Sequence, residues 1–283
     1  KVGDEVLVGQ KIAEAGGFIS AVVVSSVSGK VKKIEPRVTA GGAKSISIVI
    51  ENDGLYTAVE GLGEDRDATK LSKQEIRDIV REAGIVGLGG AGFPTNVKLT
   101  PKDESKIDYV IVNGAECEPY LTCDYRMMIE EPERLVGGLK VMLQLFENAK
   151  AVIGVENNKP KAIEKLRALV KDEPKITVEP LRTKYPQGGE RSLIYAVTGR
   201  EINSSMLPAD AGCVVDNVNT VMAIYDAVCK RTPILERVIT VTGDAVKEPQ
   251  NFKVRTGMNY NDIIEAAGGF VGEPKKILSG GPM

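Results

Sequence analysis

The chain has 283 residues, long for one compact core, so two or three domains are expected. Lys+Arg 37 against Asp+Glu 39 leaves a net charge of -2, which argues against both a nucleic-acid footprint and a strongly anionic surface. Histidine is absent, so histidine triads, histidine metal sites and histidine acid–base catalysis are excluded, and any chemistry must rest on a cofactor or on carboxylates.

Residues 1 to about 55 read as short strands at 6–8, 21–24, 30–34 and 45–50, separated by glycines. GDEVLVGQKIA and SGKVKKI resemble the repeated halves of biotinyl and lipoyl carrier domains. A swinging-arm carrier needs a modifiable lysine at a hairpin tip, and neither a Met-Lys-Met nor an Asp-Lys-Ala tip is present. The preferred reading is therefore a small β-sandwich that packs and docks. No apolar run approaches the length needed to span a bilayer, and KVGDEVLVGQ lacks the pattern of a signal peptide. Because the chain opens directly on the sandwich pattern, its protein is expected to begin earlier.

Residues 55–70 are mixed and charged and read as a linker. A helix follows, with Ser72 and Glu75 in an S-x-x-E capping box and Ile76, Ile79, Val80 and Ala83 at helical spacing. Gly84 supplies its stop and opens GIVGLGGAGFPTNVK, residues 84–98, with glycines at 84, 87, 89, 90 and 92. A dinucleotide fingerprint would follow a strand rather than a helix, and no Gly-Lys-Ser/Thr makes this a Walker loop. Glycine also merely punctuates turns, but Phe93, Pro94 and Lys98 set an aromatic face, a rigid turn and a cation beside the bare backbone.

Strands at 107–112, 151–155 and 175–181 then alternate with helices at 132–148 and 161–170. That order argues for a parallel sheet covered on both sides, with ligands at the loops beyond the strands' carboxyl ends. NGAECEP (113–119) and YPQGGE (185–190) fall in such loops. A helix at 190–197, a loop and a helix at 219–229 follow. The rest reads as a strand at 238–243, a turn at Pro249, a helix at 261–267 and a strand at 276–278.

GLGGAGFPTNVKL followed by VNGAECEPYLTCDYR resembles the C subunit of the Rnf electron-transport complex and, more distantly, the NADH-binding flavoprotein subunit of respiratory complex I. The resemblance covers nearly the whole chain but only part of the family protein, and the family motif opening at Gly280 normally continues, so a piece of a longer protein is expected. It implies an α/β fold: a Rossmann-like parallel sheet binding FMN and NADH over 70–232. An N-terminal barrel-sandwich, biotinyl/lipoyl-like β domain over 1–60 and a truncated C-terminal β-grasp-like (SLBB) module over 236–283 would flank it. It implies cofactor contacts at Gly87, Gly89, Gly90, Gly92, Phe93, Lys98, Asn113, Glu116, Glu118, Gly188, Gly189, Glu190, Asp216 and Asn217. Lys98 would meet the flavin phosphate and Phe93 the adenine. Ala115 stands where the complex I flavoprotein has an aspartate, and Asp216 where it has an asparagine.

Each motif also has a reading without ligand. Carboxylates at 116 and 118 accept hydrogen bonds from ribose hydroxyls, flavin N–H or a carboxamide, or form a solvated acidic turn. Gly188, Gly189 and Glu190 could present N–H groups to a ligand, or make a strand–helix turn with Glu190 on the helix dipole. Asn217 or Asn219 could be a helix N-cap. Cys117 lies inside the constellation, but its two glutamate neighbours disfavour a thiolate, so it is not read as a nucleophile.

The resemblance implies an NADH-oxidising flavin subunit, peripheral on the cytoplasmic side of the cell membrane. Its partners would be the other subunits of a membrane electron-transport complex and a ferredoxin-type acceptor. The four cysteines include no C-x-x-C pair, so no metal site is expected here and 4Fe-4S clusters only in the missing C-terminal part. Two other readings stay open: a corrin reductase of similar architecture, and a scaffold such as the A subunit of the sodium-pumping quinone reductase.

Overall fold

The computed structural model describes residues 1–280; the last three positions of the terminal family motif lie outside them. Five strands build the N-terminal domain: β1 (Glu5–Val6), β2 (Lys11–Ala13), β3 (Val23–Val24), β4 (Gly29–Val38) and β5 (Lys44–Asn52). One sheet runs β1-β4-β5 and the other pairs β2 with β3. The β4–β5 hairpin is longer than its two expected strands, with register pairs from Gly29↔Asn52 to Val38↔Lys44. Val8, Val22 and Val24 form the domain's small core, and Leu235, from far along the chain, completes it. Beside it, the Ser26 hydroxyl donates to the Thr256 carbonyl at 2.7 Å, and Arg255 donates to the Ser26 carbonyl at 2.7 Å.

The expected linker is built into the body. Val8 and Ala58 make an isolated parallel bridge, the Arg66 N–H donates to the Cys229 carbonyl at 2.8 Å, and Ala68 is buried in the main core. Most charged side chains there face solvent, Arg66 being half-buried, while the backbone finds partners, which composition cannot reveal.

Helix α1 (Lys73–Glu82) starts as expected: the Glu75 N–H donates to Ser72 Oγ at 3.2 Å and the Ser72 N–H to Glu75 Oε2 at 2.8 Å. Ile76 and Val80 are fully buried. Gly84 ends the helix with φ +67, and a Cβ there would lie 2.8 Å from the Val22 carbonyl, so glycine serves both the turn and the domain contact. Ser72→Ala is expected to lower the urea-measured unfolding free energy by about 1 kcal/mol, the usual worth of an N-cap.

After α2 (Thr95–Lys98), the parallel sheet is built from β6 (Tyr109–Gly114), β7 (Lys150–Glu156), β8 (Ile176–Leu181) and β9 (Cys213–Asn217), in the order β8-β7-β6-β9. Along β6, Val110 and Val112 face one core with α4 (Pro132–Leu145), α5 (Pro160–Leu169) and α7 (Val218–Cys229). Ile111 faces a second core with α6 (Glu190–Thr198). All three side chains are fully buried, as a strand covered on both faces requires. Elements not foreseen include α2, β9, in the expected loop, and α3 (Cys123–Glu130) between β6 and α4. Helices α4 and α7 pack so closely that a Cβ on Gly138 would run into the Val221 carbonyl.

The C-terminal module is an antiparallel hairpin, β10 (Glu236–Val241) with β11 (Gln250–Arg255), followed by α8 (Tyr260–Ala266). The expected strand at 276–278 is not one. Ile277 and Leu278 are exposed, and no partner strand lies beside them among the described residues, so the apolar pair has no ladder to join. Among the described residues no helix is long and apolar enough to cross a membrane.

Candidate functional site

The chain leaves β6 toward β7 and β8 on one side, whereas β9 lies on the other. The strand order therefore reverses between β6 and β9, and that switch point at the sheet's carboxyl edge is where such folds open a ligand-binding crevice. The glycine loop stands over it. Its base is closed by the Val86↔Pro94 bridge, and the Gly87 N–H donates to the Phe93 carbonyl at 2.8 Å. The Leu88 N–H donates to Thr220 Oγ1 of α7 at 2.9 Å. Gly89 is seated on Asn217: an added Cβ would fall 2.9 Å from the asparagine's own. Gly90 and Gly92 are exposed, with open space where their side chains would be. Phe93 is half-buried on the returning limb.

Lys98 turns inward. Its Nζ donates to the Val215 carbonyl at 2.8 Å and to Glu190 Oε1 at 3.1 Å, and lies 3.9 Å from Asp216 Oδ1. The lysine thus joins α2, the end of β9 and the start of α6. Asp216 is 2% exposed; burial pushes its carboxyl up to about 7, with Glu190 adding and Lys98 opposing. Asp216 Oδ2 and Thr95 Oγ1 are buried without a hydrogen-bond partner, a cost on the order of 1–3 kcal/mol each unless something meets them.

The other wall is knitted from the loop after β6. Asn113 donates from Nδ2 to the Gly188 carbonyl at 2.8 Å and accepts from the Ala115 N–H at 3.2 Å. The Gly188 N–H donates to Cys117 Sγ at 3.2 Å, and Gly188 leaves no room for a Cβ beside the Ala115 carbonyl. Gly189 caps α6 and donates its N–H to the Pro186 carbonyl. Glu118 is half-buried in the same loop.

Glu116 accepts from the N–H groups of Asp124 (2.9 Å) and Tyr125 (3.1 Å), capping α3 from seven residues before it. Burial, then the neighbouring Asp124, pushes its carboxyl up to about 7. Asp124 accepts from Nδ2 of Asn217 and of Asn219, both at 2.6 Å, and burial raises its pKa too. Asn217 is the N-cap of α7. Glu116, Cys123 and Asp124 lie within 4.8 Å of one another. Both carboxylates are already met by N–H donors, and burial pushes the thiol up to about 12.

The structure therefore gathers Gly89, Lys98, Asn113, Glu116, Gly188, Gly189, Glu190, Asp216 and Asn217 at one sheet edge. Asp124 was missed, although it lies within the motif VNGAECEPYLTCDYR; recognising α3 would have exposed it as a second carboxylate at a helix start.

Three family models match: the Nuo51 FMN-binding domain over 80–226, more than half of the chain, the RnfC barrel sandwich hybrid domain over 1–55, and the SLBB domain over 238–283. The C subunit of the proton-translocating ferredoxin:NAD(+) oxidoreductase complex of Clostridium ljungdahlii is 50% identical over 99% of this chain and 61% of its own length. The Na(+)-translocating counterpart of Acetobacterium woodii is 47% identical over 100% of this chain and 64% of its own length. The chain thus spans somewhat under two thirds of these relatives. Among solved structures, an NAD+-reducing NiFe-hydrogenase in the air-oxidised state is similar with a TM-score of 0.61 and 25% identity, over 75% of this chain and 41% of that one. The chain belongs to the family of the Nuo51 FMN-binding domain and carries the domain order of the RnfC proteins of the ion-translocating oxidoreductases.

Proposed function

We propose that the crevice binds FMN and NADH, and that the chain is the NADH-dehydrogenase-type flavin module of a membrane-associated, ion-translocating ferredoxin:NAD oxidoreductase. The observation that carries this is a bare glycine loop seated on Asn217 at the switch point, above a buried carboxylate with one oxygen unmet. The unmet Asp216 Oδ2 and Thr95 Oγ1 fit a ligand that brings its own donors and acceptors. FMN there would supply the conversion between two-electron hydride chemistry and single-electron transfer.

The chain's residues bind and orient. Gly87, Gly89, Gly90 and Gly92 let the loop approach a flat ring, and Phe93 offers an aromatic face. Asn113, Gly188 and Gly189 fix the opposite wall, Glu116 and Asn217 hold the helix starts, and Glu118 offers an acceptor. Lys98 acts as the tie that holds Glu190 and Asp216 in place. Electrons would leave to iron–sulfur clusters held outside this chain's four scattered cysteines, and on to a ferredoxin-type partner. The protein would sit peripherally on the cytoplasmic face, with working units at 1–60, 70–232 and 236–283.

Titrating the purified chain with FMN while following flavin fluorescence, then adding NADH anaerobically, tests this. Quenching on binding and bleaching of flavin absorbance on NADH addition are expected, with Glu118→Gln weakening one of the two steps. A folded chain that leaves FMN free, or holds flavin that NADH does not bleach, overturns the reading.

A further inference from the structure

The cations around the crevice are not equivalent. Lys98 is spent on Val215, Glu190 and Asp216. Lys159 is spent on the Glu116 carbonyl at 3.4 Å and Glu156 at 3.3 Å. Neither presents its charge to the open tip of the glycine loop. Arg237, on β10 of the C-terminal module, does: it is exposed, and its Nη2 donates to the Leu88 carbonyl at 3.2 Å, directly beside Gly89 and Gly90. No second hydrogen bond of its guanidinium occurs among the described residues.

Its position is set from both sides. The Thr122 N–H donates to Thr240 Oγ1 at 3.1 Å, and Thr122 Oγ1 to Asn251 Oδ1 at 3.1 Å, so β10 and β11 are pinned to the loop before α3. Arg237 in turn touches the glycine loop, so one hairpin spans both walls. Glu116 is turned to N–H groups and Asp124 to the two asparagine amides, so these two carboxylates are already met. The Arg237 charge also helps keep the enclosed Asp124 ionised.

We propose that Arg237 is the phosphate-binding residue of the site, contributed by the C-terminal module, and that its free N–H groups take a nucleotide phosphate at the tip of the glycine loop. A guanidinium with one N–H fixed on a carbonyl keeps a planar face of donors for phosphate oxygens. This rests on the FMN and NADH reading above and assigns the phosphate to a different module from the one that holds the ring. The phosphate could be that of FMN or the pyrophosphate of the dinucleotide.

The test compares FMN with riboflavin and NADH with dihydronicotinamide riboside on wild type, Arg237→Gln and Arg237→Lys, with circular dichroism as the folding control. Arg237→Gln should weaken FMN or NADH at least tenfold while leaving the matching phosphate-free ligand within twofold, and Arg237→Lys should recover part of the loss. The pair that responds identifies which phosphate is held. Wild type that binds FMN and NADH, with Arg237→Gln unchanged for both, overturns the Arg237 assignment alone. Equal weakening of phosphorylated and phosphate-free ligands also overturns it, leaving Arg237 as a tether of the loop. If wild type binds neither flavin nor NADH, the functional reading fails first and this assignment with it.

Discussion

Lys98→Ala is expected to lower the unfolding free energy by about 3 kcal/mol at pH 8, the cost of leaving a buried carboxylate without its cation. Asp216 is fully enclosed and Lys98 is its ion-pair partner, at 3.9 Å. Adding Asp216→Asn to Lys98→Ala should restore most of the loss, because a neutral amide needs no counter-charge. The sign with pH follows from the carboxyl being raised to about 7 against an ordinary 3.8. Proton uptake favours the folded state, so this stability is complete below about pH 4 and is lost as pH rises through 7. The Lys98→Ala deficit should therefore shrink toward pH 4, and Asp216→Asn alone should flatten the slope of stability between pH 4 and 7. Urea unfolding at several pH values reads all three; a Lys98→Ala deficit that is the same at pH 4 and pH 8 would rule out the pairing as its cause.

Gly138→Val should cost about 3 kcal/mol or more, since the new side chain meets the Val221 backbone carbonyl rather than a movable side-chain end. Relief would require α4 and α7 to separate, which opens the core holding Leu139, Met142, Val221 and Ile224. Gly16→Ala is the matched control, with nothing within 4 Å of the added carbon, and should stay within about 0.5 kcal/mol. Thermal and urea unfolding of both variants measure the difference. Equal stability would mean the helices are free to slide apart.

What the sequence disclosed was local or periodic. The capping box of α1 needs four consecutive residues, and Ser72 and Glu75 form it as read. The parallel sheet follows from alternating elements, and β6, β7 and β8 lie where their apolar runs are. Strand β9 was hidden because CVVDN is five residues buried on both faces, without the alternation that marks a half-exposed strand. Helix α3 was hidden because its cap is Glu116, seven residues upstream, which no local pattern can express. The site positions were legible as a set through their motifs, but their partners were not. That Lys98 faces two carboxylates, or that Asp124 joins the asparagines of α7, depends on which strand ends are neighbours. Arg237 was invisible for the same reason: its significance comes from a fold that lays β10 beside the glycine loop.

Leu235 completes the core of a domain whose own strands end at Asn52, and the Ser26–Thr256 hydrogen bond joins positions 230 residues apart. During synthesis the first sandwich strands leave the ribosome long before the residues that close them. At ordinary elongation speeds of about 5–20 residues per second, the wait is on the order of ten seconds or more. For that interval Val8, Val22 and Val24 lack their lid and stay open to water. The sandwich strands are made well before the residue that finishes their core.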